Sequence, residues 1–134
     1  MFEFKEILSI EENAFISDGF RKHALDAVGQ DGNITEFAFT FRETGVLLGA
    51  LKGQLFWGSL HIKNLFVHSD YRRQGIGKQL IQAALEFGRK KGCCFTVVET
   101  MSFQALDFYR KLGFHIDFSR SGCDNIPLVI EESV

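Results

Sequence analysis

The chain has 134 residues, enough for one domain, 1–134, with a single core of its own. A formal charge of −2, from 15 Lys and Arg against 17 Asp and Glu, excludes a general nucleic-acid binder, which needs a strongly basic surface. No apolar run nears the roughly 20 residues of a membrane span, so no membrane partner is expected. Residues 1–6 lack the basic flank and apolar centre of a secretory signal. The 3 cysteines, with Cys93 and Cys94 adjacent, make neither a disulfide framework nor a zinc pattern. The expected setting is the reducing cytoplasm, without a metal.

Residues 2–10 alternate well enough for a first strand. Phe20, Ala24, Leu25 and Val28 then keep helical spacing, with Ser17 or Asp18 as the N-cap and Gly29 as the stop. After a polar turn, Phe37, Phe39 and Phe41 alternate with Glu36, Ala38, Thr40 and Arg42, the pattern of a half-buried strand. Residues 43–45 turn the chain into a strand over 46–51, and Gly53 marks a second turn. Residues 55–67 read as one long strand or two short pieces.

Residues 75–91 form the clearest helix. Ile76, Leu80, Ala84 and Phe87 line one face, with Ile81, Leu85 and Gly88 beside them. Arg89, Lys90 and Lys91 complement the C-terminal dipole, and Gly92 is the left-handed stop. Residues 93–100 are nearly all apolar, as a parallel strand covered on both faces should be. Strand, helix and strand make a right-handed βαβ unit. A short helix capped by Ser102 follows, with Ala105, Phe108, Tyr109 and Leu112 inward and Gly113 at its end. Residues 115–120 and 126–131 supply two closing strands. The fold class is therefore α+β, in the order β-α-βββ-α-β-α-ββ.

Residues 65–77, Leu-Phe-Val-His-Ser-Asp-Tyr-Arg-Arg-Gln-Gly-Ile-Gly, join the long strand to the clearest helix. Strand, basic loop, glycines and helix N-terminus make an anion pocket, where free backbone N–H groups and the positive helix end converge beside Arg72 and Arg73. Gly75 and Gly77 let a ligand approach the backbone without meeting a Cβ. The ATP/GTP loop fails, because Gly77-Lys78 is followed by Gln79 and position 72 is Arg. The dinucleotide fingerprint fails at Leu80, where glycine or alanine is needed.

Arg-x-x-Gly-x-Gly, from Arg72 through Gly75 to Gly77, resembles the pyrophosphate motif of the GCN5-related N-acetyltransferase (GNAT) superfamily. A second block, residues 102–114, looks like the family's Asn-x-x-Ala-x-x-x-Tyr-x-x-x-Gly-Phe. Ala105, Tyr109, Gly113 and Phe114 fall in step, while Ser102 stands where Asn is usual. The resemblance implies an α/β/α sandwich: a mixed, mostly antiparallel sheet with central parallel strands that splay apart. It also implies acetyl-CoA as co-substrate, a small-molecule or peptide amine as acceptor, and a homodimer in which residues 127–134 complete a partner's sheet.

By that resemblance, the amides around Leu65, Phe66 and Val67 bind the acetyl carbonyl and pantetheine. Those of Gln74, Gly75, Ile76, Gly77 and Lys78, with Arg72 and Arg73, hold the pyrophosphate, and Ser102 is a further CoA contact. Tyr109 is the general acid. For the base, His61 stands six residues before Val67, where some members carry Glu; Glu99 and a water with no dedicated residue are the alternatives. Alternation puts His61, Lys63, Leu65 and Val67 on one face unless a bulge intervenes. Trp57 is a core aromatic like Phe37, Phe39 and Phe41, or with Phe56 it walls an acceptor pocket. A non-catalytic acyl-CoA-binding regulatory module is the alternative function, and a partner-binding domain without a CoA site a third.

Overall fold

The computed structural model describes residues 1–101, 105–121 and 127–133. They divide into two compact units, Met1–Asn33 and Ile34–Val134.

In the first unit the expected opening strand does not form: the chain enters helix α1, Ile10–Val28, directly. The reason is a capping box at Ser9. The Ser9 side chain accepts from the Glu12 N–H at 3.1 Å, and the Glu12 carboxylate accepts from the Ser9 N–H at 2.9 Å. Lys5 pairs with the same carboxylate and, with Ser9, holds its pKa below the usual range. Ser17 and Asp18 therefore lie inside the helix rather than at its start. Gly29, left-handed at φ 74°, ends it as expected.

In the second unit three strands form an antiparallel meander: β1, Thr35–Glu43; β2, Val46–Phe56; and β3, Ser59–Val67. Two-residue turns join them, with Thr44 and Gly45, then Trp57 and Gly58, all at positive φ. Gly53 is no turn. It lies mid-strand in β2, where an added Cβ would sit 2.1 Å from the His61 carbonyl oxygen and 2.8 Å from the Phe37 ring.

A single 3₁₀ turn, Ser69–Tyr71, leads into helix α2, Ile76–Lys90. Then come β4, Phe95–Met101; α3, Leu106–Lys111; β5, His115–Ser121; and β6, Pro127–Ser133. The six strands lie in the order β1-β2-β3-β4-β6-β5. Among the described residues only the β3–β4 pairing is parallel.

The buried face of α2, Ile76, Leu80, Ile81, Ala84 and Gly88, is the face its spacing predicts. It packs on the sheet side carrying Leu51, Leu60 and Ile62. Glycines allow the close approach: at Gly49 a Cβ would press on Ile76 and Leu80 at 3.1 and 3.2 Å, and at Gly88 on Leu60 at 3.2 Å. The Phe87 ring meets Phe37 and Phe39 at 4.9 and 6.1 Å between centroids, so the alternating β1 aromatics are core. Helix α3 starts from Ala105, not from Ser102, which lies outside the described residues.

Candidate active site

The parallel ladder between β3 and β4 runs only from Ser59↔Phe95 to Ile62↔Val98. Beyond it β3 continues to Val67 beside β2, and β4 continues to Met101 beside β6. The two central strands splay, opening a cleft between unpaired edges. The His68 N–H donates to the Leu48 carbonyl at 2.8 Å, toward β2. Since backbone groups alternate sides along a strand, the amides of Val67 and Leu65 face the edge that β4 has left.

The glycine loop sits at the end of that edge. Gly75 is the N-cap of α2 with φ 81°, and no side chain caps the helix. A left-handed residue followed by right-handed ones turns successive N–H groups into one concavity, an anion nest, at the positive helix end. An added Cβ at Gly75 would meet nothing within 4 Å; the glycine is there for its conformation. Gly77 serves differently: a Cβ there would lie 3.3 Å from the Phe108 ring and 3.7 Å from Val67. It lets α3 pack against the start of α2.

The two arginines part company. Arg72 donates from Nε to the Val67 carbonyl at 3.1 Å, and its guanidinium lies 5.4 Å from the Phe66 ring centroid. It braces the strand end. Arg73 holds a left-handed φ of 64°, unusual for a residue with a side chain. Tyr109 is 5% exposed, with the Phe108 and Phe114 rings at 5.1 and 5.5 Å.

His61 departs from its expected face. Lys52 pairs with Asn64 but Gly53 with Ile62, so Lys63 is an extra residue, a β-bulge. Leu60, Ile62, Leu65 and Val67 all face α2, and His61 faces the other way. Its partner in the parallel register is Val97, which puts Glu99 on the same face. The two base candidates are thus brought together, separated from Leu65 and Val67 by the sheet's own thickness. Burial lowers the His61 pKa, the Lys63 charge lowers it further, and Glu99 opposes both. The Phe56 ring stands edge-on to the imidazole at 6.0 Å. The bulge has a signature in the sequence: apolar residues occupy even positions at Leu60 and Ile62 and odd ones at Leu65 and Val67.

His68 caps the 3₁₀ turn, its Nδ1 accepting from the Asp70 N–H at 3.2 Å. Burial, and then Cys94, raise the Cys93 thiol pKa, which argues against a reactive thiolate. Among the described residues no group of three His, Cys, Asp or Glu is placed to hold a metal, and no helix is long and apolar enough to cross a membrane.

A model of the Acetyltransferase (GNAT) family matches residues 4–114. The chain belongs to that family. Blasticidin-S acetyltransferase of Streptomyces morookaense is 39% identical over 75 residues, 55% of this chain and 55% of its own length. Acetyltransferase Atu2258 of Agrobacterium fabrum is 30% identical over 114 residues, 84% of this chain and 82% of its own. The chain thus spans little more than half of the first GNAT relative and most of the second. A crystal structure of an inferred acetyltransferase from Agrobacterium tumefaciens superposes with a TM-score of 0.85 at 27% identity, covering 99% of this chain and 98% of that one. One of an inferred streptothricin acetyltransferase from Bacillus anthracis, in complex with acetyl coenzyme A, gives 0.68 at 20% identity over 73% of this chain and 61% of that one. The splayed β3–β4 pair and the uncapped α2 start are the features of this GNAT chain that bear on chemistry.

Proposed function

We propose that residues 1–134 form a single acyltransferase domain that moves an acetyl group from acetyl-CoA to a primary amine. One observation carries the reading: an uncapped helix start with a left-handed Gly75 lies at the mouth of two splayed strands. The first is suited to a diphosphate and the second to an extended arm that pairs with a free strand edge. A neighbour of this fold that holds acetyl coenzyme A supports it.

In this reading the amides of Gln74 to Lys78, with Arg73, hold the diphosphate, and Arg72 secures the strand end through Val67 and Phe66. The amides of Leu65 and Val67 take the pantetheine and polarise the acetyl carbonyl. Ser102 is a further CoA contact. An alkyl ammonium with a pKa near ~10.4 is only about 0.1% neutral at pH 7, a cost of roughly 4–5 kcal/mol. His61 accepts that proton, directly or through water, with Glu99 beside it as the competing base. The amine nitrogen attacks the carbonyl carbon and a C–N bond forms; the tetrahedral nitrogen gives its second proton to water, the C–S bond breaks, and Tyr109 protonates the departing thiolate and is reprotonated from solvent. The products are the amide and free CoA. The protein works in the cytoplasm. The expected homodimer through residues 127–134 does not stand: β6 pairs with β4 on one side and β5 on the other, which leaves it no free edge for a partner's sheet.

Isothermal titration with acetyl-CoA tests the pocket. Thiol release with an amine panel tests transfer. Tyr109→Phe should retain acetyl-CoA affinity and lower kcat by about 10²–10⁴-fold, the usual range for a lost general acid. An unchanged kcat with a good acceptor rejects the assignment. The second reading, a non-catalytic acyl-CoA-binding regulatory module, is favoured by the deep burial of Tyr109, which packs as a core residue does. Binding of acetyl-CoA without transfer to any amine would select it.

A further inference from the structure

The bulge at Lys63 leaves a concavity on the sheet face opposite α2. A cavity of about 620 Å³ opens there across three strands, with Glu36 and Ala38 from β1, Lys52 and Gln54 from β2, and Lys63 and Asn64 from β3 among its lining. The register explains the grouping: Ala38 pairs with Lys52, Lys52 with Asn64, and Gln54 with His61. The cavity therefore begins where the β3–β4 ladder ends and shares its face with His61 and Glu99. It is large enough for a small molecule.

Its chemistry is uneven. Two ammonium groups and two carboxamides face one carboxylate, and among the described residues neither Lys52 nor Lys63 forms an ion pair. The acidic total of the chain makes this local excess of positive charge the more distinctive. Unpaired lysines at the rim of a concave site attract an anion, and the carboxamides add neutral hydrogen bonds that fix its orientation.

We propose that this cavity seats the distal end of the acceptor, and that the acceptor is an amine which also carries an anionic group, a carboxylate or a phosphate. The proposal rests on the transferase reading above and names the substrate class for it. Lys52 and Lys63 pair with the anion, and the amine points along β3 toward His61 and the splayed edge. The charge of Lys63 acts on the His61 imidazole, so the cavity rim and the candidate base lie close together on this face.

The test uses matched acceptors in a thiol-release assay: an amino acid against its carboxamide, and a phosphorylated amino sugar against the unphosphorylated one. The wild type should favour the anionic member of at least one pair in kcat/KM by roughly ten- to hundredfold, the scale of a charge-assisted contact. Which pair shows it tells carboxylate from phosphate. Lys52→Glu should reverse that ratio, and Lys63→Gln should bring it toward one, so a fold defect in either variant leaves the other to decide. Acetylation of neutral amines as readily as anionic ones, or a ratio that neither variant moves, overturns this inference alone. Binding of acetyl-CoA with no thiol release from any amine overturns the transferase reading and this inference with it.

Discussion

Arg73 holds a left-handed backbone where glycine would sit without strain. That conformation costs a residue with a Cβ about 1–2 kcal/mol. Arg73→Gly should therefore keep or raise the melting temperature while weakening acetyl-CoA binding by about tenfold, through loss of one charged contact. Paired calorimetry and thermal melts check it; affinity that survives the change would mean that the guanidinium does not meet the ligand. His61 gives a second test, because burial and then two opposed charges set its pKa. Burial and Lys63 lower it and Glu99 raises it, so Lys63→Met should shift the imidazole titration upward and Glu99→Gln downward. Proton NMR of the imidazole reads both, and equal or reversed shifts would place these groups elsewhere. The sign for stability follows: with its pKa lower in the folded than in the unfolded chain, His61 costs nothing above about pH 6.5 and destabilises as pH falls below it.

At the scale of elements, the bulge in β3 depends on Gly53. An alanine Cβ would lie 2.1 Å from the His61 carbonyl oxygen, which belongs to the backbone and cannot swing aside. Gly53→Ala should destabilise the fold by about 3 kcal/mol or more, read as a lower urea midpoint. A loss under ~0.5 kcal/mol would show that the pairing can shift to make room. Helix α2 was legible in the sequence because period, basic C-terminus and Gly92 agree, and all local preferences there serve the fold. The opening strand was misread. Alternation over residues 2–10 competed with Ser9-x-x-Glu12, and the capping box, a local bond pair, commits the chain to the helix from Ile10. Gly53 read as a turn because a glycine between apolar runs usually is one; that it faces a bulge depends on residues of the neighbouring strand. The Arg72 to Gly77 loop was legible as a glycine-bearing entry to an uncapped helix start. The separate tasks of its two arginines and two glycines were not, because they follow from contacts with Val67, Phe66 and Phe108 that no spacing encodes.

The described sheet is two antiparallel halves, β1-β2-β3 and β4-β6-β5, joined by one parallel ladder of four residue pairs. Past that ladder nothing in the sheet connects the halves, and the cleft holds the strand edges at Leu65 and Val67. A thioester arm laid along the β3 edge would supply the missing pairing, so ligand binding should be written in backbone exchange as well as in heat. The free edge has no ladder partner, and its amides should exchange quickly in the unliganded protein. Saturating acetyl-CoA should slow exchange at Leu65 and Val67 by at least about tenfold beyond any change at the β1–β2 ladder, where the hydrogen bonds are already made. The amides of Gly75 to Lys78 should follow if, as proposed, the nest holds the diphosphate. Hydrogen exchange read residue by residue makes the comparison internal, because general stabilisation by a bound ligand protects all strands that open together. Protection spread evenly, with no excess at residues 65, 67 and 75–78, would mean that the ligand lies outside the cleft. An excess confined to residues 75–78 would mean that the helix start is gripped while the arm runs elsewhere, and the roles given to the β3 amides would be withdrawn.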